Sequence, residues 1–410
     1  MNWNICIGLE IRFQLAATKK LFSSAYVKHE TPNSSIAFFD AALPGSMPAL
    51  NPEALRLAVQ GALALNCDVA PICQFDRKLV FHPDSLSGYQ ITQHEMPLGE
   101  NGFIDLSQDL DGVENVRIPI QSIQLEQDVE ESVRMKQTKK NLLNFNRAGS
   151  SVIKIVVPPC LHDEQTTGAL ICKLRMVLSH AGLLYHETEL GGMHCRVNIS
   201  SGSASSNHKN MISGIKPFQI ELENLFLVQN VKTAIQSEVR RQFSPAEESN
   251  SLRNQVRAFD DKTGKTFFLR EKSVFEDHLY VSETDIPPIN LSKAYVERLK
   301  QAMSPLPDVL YATLTSKPYM LSNFEARALL SYAKGYFYYT SVWDIIVSQK
   351  KVPSNTADYV LRSLASCILT VLSSNCNKRL ESVPPKQLAD VILDTGYKKG
   401  SFINVESSIH

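Results

Sequence analysis

Charged side chains stand two residues apart in two apolar stretches of the sequence. In the stretch Ile5–Leu15, which reads ICIGLEIRFQL, Glu10 and Arg12 interrupt a regular run of apolar residues. In the stretch IQLEQD, Glu126 and Asp128 have the same spacing. Carboxylates that converge on one point can hold Mg²⁺, a cation that prefers oxygen ligands. The alternative is that these side chains only face water, as charged residues usually do.

The stretch around Glu10 and Arg12 has the pattern of a half-buried β-strand. Successive side chains of a strand point to opposite faces, so the odd positions form one face and the even positions the other. We expect the odd face to build a core and the even face, with Glu10 and Arg12, to be available for chemistry. The apolar face consists of Ile5, Ile7, Leu9, Ile11, Phe13 and Leu15.

The second acidic stretch lies in a longer alternating segment, Gly112–Val133, whose apolar residues change parity. Those up to Ile120 share one parity, whereas Ile123 and Leu125 take the other. The pattern therefore predicts a bulge or break between Pro119 and Ser122. After this break, the acidic residues share one face of the strand.

Two strands of this kind, placed side by side, bring Glu10 close to Glu126. The spacing therefore predicts a shared polar face on which these two carboxylates are candidate Mg²⁺ ligands. His194 and His208 have no second ligand at a metal spacing. We interpret them as ordinary histidines at loop edges.

Helices and further strands alternate with these two stretches. Asn51 and Pro52 predict an N-cap and a first-turn proline for one helix. Periodicity predicts a second helix over 163–180, which stops at Gly182, and a third over 224–242. The polar sequence HPDSLSGYQITQ predicts a long binding loop. Strands are predicted over 74–80, 102–106, 144–157 (which ends at two prolines), 194–200 and 218–222.

The character of the chain changes after Pro288. Segments 292–303, 323–343 and 356–372 have helical periodicity and no strand pattern. We therefore predict an α+β domain over residues 1–290, with a mixed sheet and helices, followed by an all-helical domain over residues 291–410. A length of 410 residues fits this division.

The composition excludes several classes of protein. Lys and Arg number 42, as do Asp and Glu, so any RNA partner needs a local basic patch. The eight cysteines form no CxxC pair, which indicates free thiols in a reducing compartment. No apolar run approaches the ~20 residues that span a bilayer, so we expect no membrane association. P-loop, dinucleotide and HExxH motifs are absent from the sequence.

A series of motifs resembles one known family. These are IGLEIRFQL, LPGSMPALN, FDRKLVFHPDSLSGYQITQ, IQLEQD, NRAG, CRVNIS, IELEN and DHLYVSETDIPPI. Together they resemble GatB, the B subunit of the tRNA-dependent amidotransferase GatCAB, collinearly over roughly residues 5–350. The resemblance implies a cradle-shaped α+β domain that uses ATP to phosphorylate the glutamyl group of Glu-tRNA(Gln). Ammonia from the A subunit then displaces the phosphate and gives Gln-tRNA(Gln).

The resemblance also implies roles for individual residues. Glu10, Glu126 and Asp128 match acidic positions of the family and are expected to be catalytic, with Glu10 and Glu126 as Mg²⁺ ligands. The positions expected to bind ATP and the tRNA acceptor end are Asp84, Tyr89, Gln90, Gln93, Asn146, Arg147, Asn198, Glu221 and Asn224.

The sequence departs from the family pattern within the same motifs. Arg12 replaces a histidine, and a guanidinium cannot ligate a metal but can contact phosphate. The positions of four zinc-binding cysteines fall near Ser23, Ala25, Ala37 and Asp40, so we expect no zinc site. The other departures are Gln124, Gln127, His194, Arg196 and Glu223.

The resemblance therefore predicts the B subunit of a GatCAB complex, a carbon–nitrogen ligase that works with the A and C subunits on Glu-tRNA(Gln). ATP and Mg²⁺ are the expected cofactors. The divergence of the sequence from the family pattern and the loss of the zinc-binding cysteines favour the mitochondrial matrix over a bacterial-type cytoplasm. The N-terminus lacks the Arg-rich amphipathic pattern of a transit peptide, so for an imported protein we expect the presequence to be missing or atypical. We also expect the tail domain of the family to be missing. The alternative is a catalytically degenerate scaffold within the same complex.

Overall fold

A nine-stranded mixed sheet is the centre of the computed structural model. The structure describes residues 3–27, 31–81, 85–129, 131–135, 140–185, 192–203, 218–242, 254–272, 279–348, 364–365, 368–369 and 383–396. Its strands are β1 (Trp3–Gln14), β2 (Asp68–Val69), β3 (Ile72–Cys73), β4 (Asp76–Leu79), β5 (Tyr89–Thr92), β6 (Gly99–Leu106), β7 (Val116–Gln127), β8 (Glu131–Met135), β9 (Lys140–Asn144), β10 (Ser151–Leu161), β11 (His194–Ser203), β12 (Phe218–Leu225), β13 (Gln255–Asp260), β14 (Lys265–Glu271), β15 (Tyr280–Ser282) and β16 (Ile289–Asn290).

The helices occur in both halves of the chain. In order, they are α1 (Pro52–Ala64), α2 (Gln108–Asp111), α3 (Glu164–His180), α4 (Val228–Gln242), α5 (Lys293–Gln301), α6 (Pro307–Thr315), α7 (Asn323–Leu330), α8 (Gly335–Ser348) and α9 (Pro385–Gly396). The mixture of sheet and helices confirms the predicted α+β class.

Strand β1 occupies the middle of the large sheet, whose order is β14-β13-β12-β11-β1-β10-β7-β6-β2. It pairs antiparallel with β10 on one side and β11 on the other. Ile7, Leu9, Ile11 and Phe13 are at most 1% exposed, which confirms the predicted apolar face. The even residues of β1 therefore lie on the opposite face of the sheet.

Helix α1 begins, and helix α3 begins and ends, as the sequence predicts. The Asn51 side chain accepts a hydrogen bond from the Glu53 backbone N–H at 3.0 Å. In the same way, the Asp163 side chain caps α3 by accepting a hydrogen bond from the Thr166 backbone N–H at 2.6 Å. Gly182, with a φ of 70°, follows the last turn, a backbone conformation that glycine adopts without strain. Both helices contact the large sheet.

The predicted bulge in β7 is wrong. Its register with β6 and β10 is continuous through Ser122 and Ile123. The irregularity lies instead on β6, where Asn101 has a φ of 54°. Residues 122–126 of β7 are buried on both faces. The parity of apolar residues therefore carried no information about a break in this strand.

Two further strand predictions need correction. Strand β10 continues past Pro158 and Pro159 to Leu161, and its register with β1 shifts near these prolines, where a missing N–H is tolerated. The predicted loop HPDSLSGYQITQ contains β5, which pairs with β4. Strand β15 pairs with the other side of β4, so these three strands form a small sheet.

The small sheet is tied together by Arg77 of β4. Its guanidinium donates to both carboxylate oxygens of Glu283, at 2.7 and 2.8 Å, and to Asp285 at 2.6 Å. A bidentate arginine–carboxylate pair of this kind fixes the relative orientation of the two side chains and also neutralises their charges. The segment after β15 is thereby held against β4.

The chain divides into two compact units. The first consists of Met1–Ser107 and Val113–Met303, and the second of Gln108–Gly112 and the residues from Ser304 onward. Every described regular element of the second unit is a helix, and α7 begins with a capping box between Ser322 and Glu325. Residues 349–363 and 370–382 lie outside the described residues, so the all-helical domain over 291–410 stays a prediction. None of the described helices is long and apolar enough to cross a membrane.

Candidate functional site

The polar face of the large sheet is built by the even positions of β1 and their partners. Arg12 pairs in register with Lys154 of β10 and with His194 of β11. Glu10 pairs with Arg196 of β11. Because directly paired residues share one face of a sheet, these side chains all point to the same side.

The structure corrects the predicted position of Glu10 relative to Glu126. Strands β1 and β7 are not neighbours, because β10 lies between them. Glu126 pairs with Val152 of β10, and Val152 pairs with Gln14 of β1. Glu126 is therefore level with Gln14, at the end of β1, and not with Glu10. The two carboxylates remain on one face but at different positions along it.

Glu126 binds Arg12 across this intervening strand. The Nε–H of Arg12 donates to Oε1 of Glu126, and the Thr92 hydroxyl donates to Oε2 at 3.1 Å. Glu126 is 3% exposed. Burial by itself raises the pKa of Glu126, but the charges of Arg12 and Lys154 outweigh burial, and the pKa is lowered. Glu126 is therefore ionised, and both of its oxygens have partners.

Glu10 has two cations beside it. The Nζ of Lys154 lies 3.6 Å from its carboxylate, and a guanidinium nitrogen of Arg196 lies at 3.7 Å. Burial raises the pKa of Glu10, but Lys154 and Arg196 reverse the shift and lower it. These distances are longer than hydrogen bonds, so Glu10 neutralises charge without holding one partner tightly.

Lys78 of β4 brings a further cation to this face. Burial and the positive charges of Arg196 and Arg12 lower its pKa to about 8. The charges of Glu10 and Glu126 interact with it as well. Four cations thus surround two carboxylates; we call this set the cation cluster, which consists of Arg12, Lys78, Lys154 and Arg196.

Asp128 follows β7 and holds an arginine of its own. The Nε–H of Arg147 donates to Asp128 at 2.6 Å, and a terminal N–H of Arg147 donates to Nε2 of His194. Burial and the charge of Arg147 lower the pKa of His194 to about 4. His194 is consequently neutral near pH 7 and accepts this hydrogen bond.

A pocket of about 190 Å³ opens beside Asp128. Residues from four parts of the chain line it, among them Phe39, Leu86, Tyr89 and Gly149. Tyr89, predicted as a binding residue, lies below the guanidinium of Arg77, 4.5 Å from the ring centroid. The carboxylates of Asp40 and Asp128 line the pocket together with further polar and some apolar side chains, a mixture that can bind a small polar molecule.

Three other predicted residues lie on or beside the polar face. Glu221 accepts from Nε of Arg196 at 2.8 Å and from Lys272 at 3.0 Å. Asn198 pairs in register with Glu221. Gln90 donates to the backbone oxygen of Gln127 at 2.7 Å, which joins β5 to the end of β7.

The structure gives scaffold positions to three predicted binding residues. Buried Gln93 accepts from the Leu125 N–H at 2.8 Å. Buried Asn146 donates to the Thr31 oxygen at 2.7 Å. Asn224 is exposed and has a φ of 61°, at an irregularity one residue before the end of β12, and α4 begins four residues later than predicted. Asp84 lies outside the described residues.

Sequence reasoning missed Lys78 and Lys154 as members of the site. A signal was present for Lys154, because it interrupts the β-branched run VIKIVV at the parity of a polar face. Lys78 had no comparable signal in FDRKLV. Nothing in the polar stretch HPDSLSGYQITQ distinguished Thr92 from its neighbours as a partner of Glu126.

The arrangement of carboxylates bears on metal binding. Among the described residues, no group of three or more His, Cys, Asp or Glu side chains is placed to hold a metal ion. The predicted absence of zinc stays a prediction. Asp40 is one of the positions near which the zinc-binding cysteines of the family would fall. Its buried carboxylate accepts a hydrogen bond from Lys20 at 2.9 Å.

Comparison with known proteins assigns the chain to a family. Residues 5–297 match the family model described as the GatB/GatE catalytic domain. The chain belongs to the GatB/GatE family. Apart from the first two residues of β1, the large sheet, the cation cluster and the small sheet lie within the matched residues. The resemblance seen in the motifs is thereby confirmed.

Three fungal relatives are similar to this GatB-family chain over 95% of its length. Each is named as the B subunit of a mitochondrial glutamyl-tRNA(Gln) amidotransferase. The relative from Schizosaccharomyces japonicus is 36% identical over 401 residues, which cover 77% of that protein. Those from Penicillium rubens and Yarrowia lipolytica are 34% and 31% identical, with 69% and 76% of their lengths covered. Their shared designation confirms the prediction of a mitochondrial protein.

Proposed function

We propose that this GatB-family chain is the B subunit of a glutamyl-tRNA(Gln) amidotransferase, and that ATP binds on the polar face of its large sheet. One observation carries the proposal for the site. The cation cluster, whose members come from four strands, lies within the catalytic domain of the family. Cations held on a rigid sheet and partly shielded from water are suited to a polyphosphate.

The proposed reaction has two steps. An oxygen of the glutamyl γ-carboxylate attacks the γ-phosphorus of ATP, and ADP leaves. Ammonia then attacks the carbonyl carbon of the resulting acyl phosphate, and phosphate leaves as the amide forms. Both steps concentrate negative charge on phosphoryl oxygens, so fixed cations stabilise both transition states.

The residues of the face divide this work. Arg12 and Lys78 are the proposed phosphate contacts, since both bring positive charge to this face beside Glu126. Glu10 is the proposed positioning residue, because it attracts both Lys154 and Arg196. Asp128 positions Arg147 in the same way. In this assignment the carboxylates orient cations and do not touch the reacting atoms.

The predicted ligation of Mg²⁺ by Glu10 and Glu126 does not fit this arrangement. Glu126 uses one oxygen for Arg12 and the other for Thr92. Glu10 lies between two cations, which would repel a divalent ion. We therefore assign no catalytic step to a metal ion on these side chains.

The proposed partners follow from the names of the relatives. A protein named as a B subunit belongs to a complex of several subunits, and we propose the A and C subunits (GatA and GatC) as its partners and Glu-tRNA(Gln) as its substrate. GatA supplies ammonia from glutamine. The scaffold alternative has no support in the relatives' names.

Reconstitution tests the proposal. The chain is combined with GatA and GatC, and ATP-dependent conversion of Glu-tRNA(Gln) to Gln-tRNA(Gln) is measured. Lys78→Met, which removes a proposed phosphate contact, should abolish the conversion while glutamine hydrolysis by GatA continues. Arg117→Ala, which removes an exposed ion pair with Asp105, is the matched control and should stay active. An assembled complex that hydrolyses glutamine but forms no Gln-tRNA would establish the scaffold alternative instead.

A further inference from the structure

We propose that His94 and Tyr280 form a stacking platform for an adenine base at the edge of the cation cluster. This inference rests on the proposed function, and it specifies where the nucleoside part of the ligand lies. Neither residue matched a predicted site position, and neither takes part in the contacts assigned above.

The two rings are arranged as a stack. Their centroids lie 3.9 Å apart and their planes differ by 8°. His94 is exposed, whereas Tyr280 is half-buried. Tyr280 therefore backs one face of the imidazole and leaves His94 as the outer ring of the pair. A planar base can extend such a stack, and stacking of this kind tolerates any base with a π-face.

The platform is held in place by its own small sheet. The carboxylate of Asp76 accepts hydrogen bonds from the backbone N–H groups of His94 and Glu95, each at 2.9 Å. Asp76 is 3% exposed. Tyr280 pairs in register with Lys78 across β15 and β4. A ring whose position is fixed before binding loses less conformational entropy when a ligand stacks on it.

The register places the platform beside the cluster. Tyr280 and Lys78 are directly opposed, so their side chains leave the small sheet on the same face. Burial and the negative charges of Glu10 and Glu126 raise the pKa of Tyr280. A ligand with phosphates on Lys78 can thus place its base on the adjoining His94.

The charge of the surroundings favours a nucleotide over a purely apolar ligand. The stack offers little contact area by itself, but Tyr280 adjoins Lys78 of the cation cluster, and these cations attract phosphate. Adenine with an attached phosphate occurs in ATP and also at the 3′-terminal adenosine of tRNA. Both sources share the chemistry that the platform recognises, and the test below separates them.

The test uses His94→Ala and His94→Phe in the reconstituted complex. Binding of ATP is measured directly, by fluorescence of ATP with a ribose-attached fluorophore, so the test does not depend on amide formation. His94→Ala should weaken ATP binding about tenfold, while His94→Phe, which keeps a planar ring, should stay within about twofold of the parent chain. Inhibition by inorganic tripolyphosphate, which has no base, should not change.

A second arm addresses the tRNA. If the platform holds the terminal adenosine, His94→Ala should raise the KM for Glu-tRNA(Gln) about tenfold and leave ATP binding unchanged. In that case, a tRNA fragment without its terminal adenosine should bind both chains equally. Phe324→Ala, at an exposed aromatic residue of the second unit, is the control and should change neither value.

The proposal is overturned if His94→Ala changes neither ATP binding nor the KM for tRNA, or if His94→Phe is as weak as His94→Ala. A loss of tripolyphosphate inhibition in His94→Ala would also overturn it, since the effect would then concern the cations rather than a base. Absence of amidation in the parent complex would contradict the proposed function. The measurement of ATP binding would still test the platform in that case, because it does not depend on amidation.

Discussion

Arg12 of β1 binds Glu126 of β7 across β10, the strand that separates them. The pair joins a 22% exposed guanidinium to a 3% exposed carboxylate. It thereby fixes one cation of the site and neutralises a charge that would be costly to bury alone.

Removal of Arg12 should destabilise the first unit. Arg12→Ala leaves Glu126 buried with Thr92 as its partner, and losing one member of a buried pair lowers the free energy of unfolding by about 3–5 kcal/mol. The double variant Arg12→Ala/Glu126→Gln should recover much of the loss, because no buried charge remains. Urea denaturation followed by Trp3 fluorescence measures this, with Trp343, which lies in the second unit, replaced by Phe.

A matched pair serves as the control for Arg12. Arg117 also bonds a carboxylate, Asp105, but the two side chains are 62% and 53% exposed. Arg117→Ala should leave the unfolding transition nearly unchanged, because exposed pairs contribute little. Equal losses for Arg12→Ala and Arg117→Ala would contradict the assigned burial of the Arg12 pair.

Binding of ATP should weaken as the pH rises through about 8. Burial and the neighbouring guanidinium groups lower the pKa of Lys78 to about 8, so its ammonium is lost above that pH and no longer attracts phosphate. The KM for ATP of the reconstituted complex, measured below and above pH 8, should therefore rise. Lys78→Arg should show no such rise, because a guanidinium stays charged. A flat profile in the parent chain would argue against contact between Lys78 and phosphate.

His194 should make the first unit less stable in acid. Its folded pKa of about 4 lies below the ordinary value of 6.5, so between these values the unfolded chain binds more protons. The contribution of His194 to stability is complete above pH 6.5 and is lost as the pH falls towards 4. Urea denaturation across this window should show a shallower pH dependence for His194→Gln than for the parent. An unchanged slope would place the His194 ring outside the Arg147 contact.

Asn224 should act through its backbone. Its φ of 61° lies in the left-handed region, which glycine and asparagine tolerate better than other residues. Asn224→Gly should preserve both amidation and stability, whereas Asn224→Ala should lower the free energy of unfolding by about 1 kcal/mol. Loss of amidation in a stable Asn224→Gly variant would instead restore the predicted role in ligand binding.

Local features of the fold could be predicted from neighbouring residues. The alternation around Glu10 predicted a strand with a buried face, and Asn51 with Pro52 predicted the start of α1. Such features depend on side-chain direction and on hydrogen bonds within a few residues, which the sequence displays directly. In β7 both faces are buried from Ser122 onward, and there the change of parity among apolar residues wrongly predicted a bulge.

By itself the sequence determined the family, the polar face of β1 and the residues Glu10, Arg12 and Glu126 as its central members. Only the tertiary structure decided that β10 separates these strands, that Arg12 binds Glu126, and that Lys78 and Lys154 complete a cation cluster. It also stacked His94 on Tyr280, 186 positions later in the chain. Strand order and cross-strand contacts join residues distant in sequence, and no local pattern specifies which distant partner a strand will choose.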